Sequence, residues 1–500
     1  MKNPFDAFVS STGRVPLFQD SGKDSTSLKD LLWGDGVRFL DDEVVNGRRK
    51  VRARGTDGWI NPADVEGGEP LLELYFIDVG QGDSVIMRTP DFRHLLIDGG
   101  FPRTSQPSMK SAADFVDWKF AVDYGSTNIE LDAMIASHND HDHYGGLDDL
   151  LDVEQINELR CESISVENFY HAGLSWWKDS KGKRTLGKLV SAHGGPKFFT
   201  QLLHDRTSAE AATDGGNSPQ LQGAWGAFIR KVVAARDRTG QPTPITRLSA
   251  DVAALPGFSG GSRDDVDIRV LGPIADVVDG EPALKQLGAD SISTNGHSVT
   301  LSISYGNARL LLTGDLNKAA HDQLLLYYAD DPGVFACDVA KCCHHGSEDV
   351  SFRFLETMEA GATVISSGDA EGHDHPRPRI VAASGVTGHR EVANDRLITP
   401  LVYSTEIARS LELGRVTQVD LANGEILDSA DLLGATVRYK VHKPGSLRPA
   451  LGRRRLGGSF VVAGMVYGLV NVRTDGRTIL CATLNEGSNA WTIKTFKARF

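Results

Sequence analysis

The stretch His138-Asn139-Asp140-His141-Asp142-His143 sets five possible metal donors within six residues, straight after the apolar run LDAMIAS. Side chains at 138, 140, 142 and 143, in a loop leaving a strand, can converge on two adjacent cations. Imidazole mixed with carboxylate suits Zn²⁺ first and Mn²⁺ as the harder alternative. Four more polar groups follow apolar runs: His171 in VENFYHAG, Thr313-Gly314-Asp315, His344-His345-Gly346-Ser347, and Gly372-His373-Asp374-His375-Pro376. Eight of the fifteen histidines lie in these groups. A carboxylate at a strand tip, such as Asp315, can bridge two cations. Water held between two dications loses much of its proton's hold, so hydroxide becomes available near neutral pH to attack phosphorus or a carbonyl carbon. The metals then neutralise the oxyanion that develops. Cys342 and Cys343 read instead as small core residues at a strand end.

Positioning such donors requires strands that end at one edge. From Leu71 onward the chain reads as strand, loop, strand, helix, which is α/β grammar. The strands are LELYFIDV, SVIMRT, RHLLIDGG, LDAMIASH, SISVENFY, SVTLSISYG, ARLLLTGD, VFACDVAKC and ATVISSG. Residues 1–66 are short β-like runs in which Val37, Phe39, Val51 and Trp59 could pack a tiny barrel, similar to a bacterial SH3-like domain. EGGEP at 66–70 reads as a linker. Residues 174–292 have a different texture and read as an insertion. One helix stands out there: Ser218 and Pro219 open it, Trp225, Phe228, Ile229 and Val232 form one face, and Arg236 and Arg238 close it. Residues 429–500 return to short strands and read as a small β-rich module, with seven Lys/Arg and no acid between Arg438 and Arg455.

Composition bounds the rest. Five hundred residues suggest about three modules, and the 40% hydrophobic, 24% charged make-up is that of a globular chain rather than a disordered one. With 53 Lys+Arg against 66 Asp+Glu the net charge is −13, so any grip on nucleic acid must come from a local basic groove. Five cysteines without framework spacing point to reduced thiols and a cytoplasmic setting. The opening MKNPFDAFVSSTGRV lacks a signal-peptide core. Phe460–Val472, interrupted by Gly464 and Gly468, is too short to span a membrane.

Six ordered motifs, FIDVGQGDS, LLIDGG, SHNDHDHYGG, LLLTGD, HHGS and GHDHPRP, resemble the metallo-β-lactamase superfamily. Within it they are most similar to the soluble hydrolase domain of ComEC-type competence proteins. The resemblance covers about 71–428 and ends at VYSTEIARS, which is similar to that domain's closing strand. It implies an αββα sandwich, two β-sheets face to face with helices outside, and a dinuclear site at one edge. The superfamily pattern is H-x-H-x-D-H, and Asp140 stands here where the second histidine is usual. By resemblance, one metal takes His138, Asp140 and a histidine of the next motif, assigned to His171, with His193, His204 and His297 as alternatives. The other takes Asp142, His143 and an HHGS histidine, assigned to His344 with His345 as alternative. Asp315 bridges, and Asp98 orients the ligand loop. Asp142, His375 and His373 are the candidate catalytic groups, the two histidines near the leaving group as proton donor or phosphate holder.

The function implied is a metal-dependent phosphodiesterase or nuclease acting on nucleic acid or another phosphodiester. Hydrolysis of a small ester, lactone or amide is the alternative. A second alternative is a scaffold whose terminal β modules dock a protein partner. The insertion is expected to lie over the metal site and select the substrate. Its Trp176-Trp177, beside Lys178, Lys181, Lys183 and Arg184, could stack bases and touch phosphates.

Overall fold

The computed structural model describes residues 1–106, 111–152, 159–191, 195–216, 219–262, 265–367, 375–405, 412–415, 417–441, 450–455, 460–463, 469–485 and 490–500. Two sheets face each other. The first holds nine strands, in the order Ile245–Arg247, Phe169–His171, Ala133–Ala136, His94–Ile97, Val85–Arg88, Leu72–Phe76, Val470–Thr474, Thr478–Asn485 and Ala490–Lys497. The second holds six: Asp267–Gly272, Thr300–Tyr305, Ala308–Leu312, Val339–Lys341, Ala362–Ile365 and Leu401–Ser404.

Period-two alternation explains the layering. Leu72, Leu74, Phe76, Leu95, Ile97, Ala133 and Ile135 point between the sheets, where they meet Leu301, Ile303, Leu310, Leu312 and Val364. Their neighbours Tyr75, Leu96, Met134 and Ala136 point outward under a helical layer that includes Val116, Tyr144, Leu147 and Phe228. Leu311 and Ala340 face a matching outer layer built on Leu324, Phe354 and Leu355. Helices therefore cover both outer faces. The architecture is the expected αββα sandwich.

Residues 1–66 contain a six-stranded sheet whose core holds Val9, Val15, Leu17, Leu31, Val37, Val51 and Ile60. Trp59, expected inside, is only half-buried, because Ile60 takes the inward position next to it. The larger difference concerns residues 429–500. Instead of closing on themselves, the last strands extend the first sheet: Val470 pairs with Phe76 and Thr474 with Leu72, antiparallel. Val470 and Val472 complete the inter-sheet core, which rewards this distant pairing. Of the basic run, Thr436–Val441 and Ala450–Arg455 form a separate hairpin.

Buried charge ties the segments together. Arg473 is fully buried and reaches Asp35 (2.7 Å) and Glu73 (2.6 Å), while donating to the Trp33 carbonyl (2.6 Å). Lys119 and Arg88 lie on the other side of Glu73, at 3.9 and 3.4 Å. Burial alone would raise the Glu73 pKa, but the three cations overcome it and hold the carboxyl well below its usual range. The N-terminal sheet, the sandwich and the C-terminal strand thus share one charge network. Among the described residues, no helix is long and apolar enough to cross a membrane.

Candidate metal centre

The strand Ala133–Ala136 leads into Ser137 and His138, and Asp140 occupies the position just before the helix His141–Leu151, without a side-chain capping hydrogen bond. That helix start places Asp142 in the first turn, where the helix dipole favours an acid. Two glycines let its loop pack against its neighbours. A Cβ on Gly82, at φ 123°, would sit 2.2 Å from the Asp142 carbonyl oxygen, and one on Gly146 would sit 2.1 Å from that of Gly99. The FIDVGQGDS and LLIDGG motifs therefore fold directly against the histidine-rich loop.

Asp98, itself at φ 57°, accepts from the Ser137 amide (2.7 Å) and lies 2.8 Å from His143 Nδ1. That contact turns His143 Nε2 inward, 3.3 Å from Asp315 and 3.3 Å from His345 Nε2. His345 Nε2 is 3.0 Å from Asp315 and 3.7 Å from Asp142, and its Nδ1 is 3.0 Å from the Ser366 carbonyl oxygen. Ser137 and Ser298 hold His138 Nδ1 at 3.0 and 3.2 Å, which leaves Nε2 facing the cluster, 3.9 Å from Asp140. Four sets of three ligand atoms converge within 4.8 Å: His138, His143 and Asp315; Asp142, His143 and His345; Asp83, Asp315 and His345; and Asp83, Asp98 and His143. None includes a cysteine. Burial raises the Cys342 and Cys343 thiols, that of Cys343 to about 11, so they stay protonated.

The electrostatics favour positive charge. Burial should keep His345 neutral, but Asp315 and Asp83 overcome it and raise its pKa to about 10. His143 is raised in the same way by Asp315 and Asp98. Asp315 is desolvated, yet His345 and His143 hold it well below the usual carboxylate range. Asp140 is different: burial and the neighbouring Asp142 push it up to about 7. The His138 Nε2 and Asp315 Oδ1 atoms are buried without a hydrogen-bond partner among the described residues. Orphaned donors of this kind, nitrogen and oxygen together, fit a divalent cation.

The structure rearranges several sequence assignments. His345 takes the inner place given to His344. His344 is partly exposed, 3.8 Å from Asp315, and it lies 3.2 Å from the Asn295 side-chain amide. Two consecutive left-handed residues, φ 47° and 51°, swing the pair so that the second imidazole points inward. His171 sits at the expected strand tip, but its Nδ1 accepts from the Gly173 amide (3.0 Å) and its ring stacks on Phe169. Burial and the nearby Arg247 depress its pKa to about 3, and it joins none of the four ligand sets. His297 is held instead by the Lys285 carbonyl oxygen (2.8 Å), and His204 faces Arg247. Ser298 and Asn295, rather than a further histidine, approach His138 and Asp140. Asn295, in the amide orientation that satisfies both neighbours, donates to Asp140 (2.9 Å). His375 is buried, its ring 5.9 Å from that of His344 and 6.4 Å from that of His345. His193 and His373 lie outside the described residues.

Two buried participants were not singled out from sequence. Asp83, inside the FIDVGQGDS motif, lies 3.2 Å from His345. Lys341, the residue before Cys342, forms an ion pair with Asp83, donates to the Gly314 carbonyl (2.8 Å) and lies 3.6 Å from Asp315. The polar residue inside each apolar strand end was the available signal. The insertion also differs from expectation in part. Its helix runs Gly223–Ala234 with Gln222 as cap, and the predicted Trp225/Phe228/Ile229/Val232 face is buried; Ser218 lies outside the described residues. Trp176 and Trp177 are core residues, so they present no face to a base.

A family model described as "Metallo-beta-lactamase superfamily" matches residues 77–368, more than half the chain. ComE operon protein 3 of Bacillus subtilis (strain 168) is 24% identical over 316 residues, which cover 62% of this chain and 30% of that protein. Competence protein ComA of Neisseria gonorrhoeae is 29% identical over 224 residues, covering 43% of this chain and 30% of that protein. The chain thus spans under a third of the length of either relative.

Proposed function

The chain belongs to the metallo-beta-lactamase superfamily, a hydrolase with a divalent-metal site, and we propose on that premise that it is a dinuclear phosphodiesterase or nuclease. One observation carries the reading: imidazoles and carboxylates from separate strand ends, all but Asp142 buried, converge in sets of three within 4.8 Å, with no thiolate among them. An all-nitrogen-and-oxygen donor set suits the hard oxygens of a phosphodiester. The resemblance to ComEC-type competence proteins adds nucleic acid as the substrate class, and one of the two relatives is named a competence protein.

In this reading His138, Asp140 and Asp315 would hold one cation, and Asp142 and His143 with His345 would hold the other. Divalent ions held there supply Lewis acidity and an activated water. The remaining work is done by the chain itself. Asp98 fixes the His143 ring through Nδ1, and Ser137 and Ser298 fix that of His138. Lys341 offsets the negative charge of Asp83 and Asp315, so the carboxylates stay together without repelling. His375 gives the leaving oxygen its proton. Zn²⁺ is the metal of choice and Mn²⁺ the alternative.

The test is a substrate panel on metal-loaded protein. Single-stranded DNA, duplex DNA, RNA, cyclic dinucleotides and bis(p-nitrophenyl) phosphate are compared with ester and lactam reporters. Turnover confined to the ester or lactam reporters would refute the phosphodiester reading.

A further inference from the structure

The segment after His171 carries a small hairpin, Trp177–Lys178 paired with Arg184–Thr185. Its base is fixed to the metal loop. The Trp176 indole donates to the Asn139 carbonyl (3.0 Å), inside the histidine-rich motif. The Lys178 amide donates to Gln220 and the Gln222 amide to Trp176, each at 2.9 Å, which ties the hairpin to the start of the helix Gly223–Ala234. That helix packs Trp225 and Phe228 on Tyr144, with ring centroids 5.0 and 5.1 Å apart, one residue beyond His143. The arm is therefore held rigidly against the helix that carries Asp142 and His143.

Its tip is basic in an acidic chain. Lys178, Lys181, Lys183 and Arg184 are all exposed, and none forms an ion pair among the described residues. The single acid of the tip, Asp179, accepts from the Lys181 and Lys183 amides (2.8 and 2.7 Å), so it shapes the turn while leaving the ammonium groups free. The Arg184 guanidinium stacks 3.5 Å over the buried Trp176 ring and is close enough to act on the Asp140 carboxyl. Three lysines without an ion pair among the described residues thus project from a hairpin whose Arg184 leans toward the ligand loop, while the whole chain carries −13.

We propose that the hairpin around Lys178–Arg184 is an arm that grips the phosphate backbone of a nucleic acid and feeds it across the metal centre. The inference rests on the phosphodiesterase reading for what happens at the metals, but the grip stands on the arm alone. Recognition is by charge and not by base stacking, because both tryptophans are core. The arm therefore selects for polyanionic length, independent of base sequence.

The test replaces Lys178, Lys181 and Lys183 together by serine in the metal-loaded full chain and measures binding of a fluorescein-labelled, cleavage-resistant phosphorothioate single-stranded DNA. A control variant replaces Lys2, Lys23 and Lys50, which are equally exposed but belong to the N-terminal region. At roughly 0.7 in the salt slope per phosphate contact on a single strand, loss of three contacts should flatten the log–log salt dependence by about 2. Affinity at low salt should fall at least about tenfold. Circular dichroism and metal content should match the parent, and the control variant should bind as the parent does. Unchanged affinity and slope in the hairpin variant would overturn the proposal, as would equal loss in the control. Competition by poly-glutamate as effective as by unlabelled DNA would overturn it too, in favour of an acidic polypeptide partner. If the parent binds DNA through the arm yet cleaves no phosphodiester, the arm stands and the catalytic reading falls.

Discussion

Exchanging His345 for glycine should strip the metal centre, whereas the same change at His344 should not. His345 Nε2 has Asp315 at 3.0 Å, His143 at 3.3 Å and Asp142 at 3.7 Å, so its removal takes a donor from two of the converging sets. His344 Nε2 approaches one carboxylate, Asp315, at 3.8 Å. Removing a partner that merely orients a ligand costs about 10–100-fold in metal affinity. Loss of the donor itself should therefore cost on the order of 100-fold or more, about 2.8 kcal/mol at roughly 1.4 kcal/mol per tenfold. His344→Gly should cost less than about tenfold, below what loss of an orienting partner costs. Glycine is the right replacement because both residues have positive φ, 47° and 51°, which glycine adopts without strain. Any loss then comes from the missing imidazole and not from the backbone. Competition titration of Zn²⁺ and Mn²⁺ against a fluorescent chelator reads the affinities, and thermal melting checks the fold. If His344→Gly lost the metal while His345→Gly kept it, the inner placement of His345 would be refuted.

Four further outcomes are expected. Asp315→Ala should lower turnover of the best substrate by about 10²–10³-fold or more, since it touches both halves of the centre; near-normal kcat would contradict its bridging position. Asp98→Asn should weaken metal binding by about 10–100-fold through the His143 ring, measurable by the same competition titration, with little change in melting temperature. Arg473→Met should destabilise the whole protein by about 3–5 kcal/mol, because Asp35 and Glu73 stay buried without their shared partner; denaturant unfolding measures it. The pH dependence follows from His345. Its folded pKa of about 10 exceeds the ordinary 6.5, so in chelator-treated protein its protonation stabilises the fold fully below about pH 6.5 and loses that contribution as pH rises through about 10. Metal affinity runs the opposite way and climbs over the same window, because the cation must displace that proton. Calorimetry in buffers of different ionisation enthalpy should show proton release on metal binding.

What could be read from the sequence was whatever depends on local alternation. Each donor group follows an apolar run, so the strand ends, the sandwich and the convergence of His138, Asp142, His143 and Asp315 were accessible from periodicity and motif. What failed depends on backbone turns or distant partners. The choice between His344 and His345 is made by two left-handed residues that no hydrophobic pattern announces. His171 does end its strand, but a side-chain direction is set by neighbours such as Gly173 and Phe169, which spacing does not specify. Asp83 reaches the cluster only because the loop before Val85 folds back on Asp142, the contact that Gly82 permits. Trp176 and Trp177 looked like a base-stacking pair beside cations, yet only the cations face solvent.

The pairing of Val470–Thr474 with Leu72–Phe76 has a bearing on how the protein is made. Some four hundred residues separate those strands, so while a ribosome builds the chain the Leu72–Phe76 strand, buried throughout in the folded protein, has its edge bare until Val470–Thr474 emerges. Bare apolar edges recruit other strands, including those of neighbouring nascent chains. A fragment ending near residue 428, where the family resemblance stops, would keep that edge open permanently and should precipitate or bind chaperones. Because the sheet that carries the His138 loop is completed only by strands beyond residue 469, slow long-range pairing sets the pace at which that sheet closes.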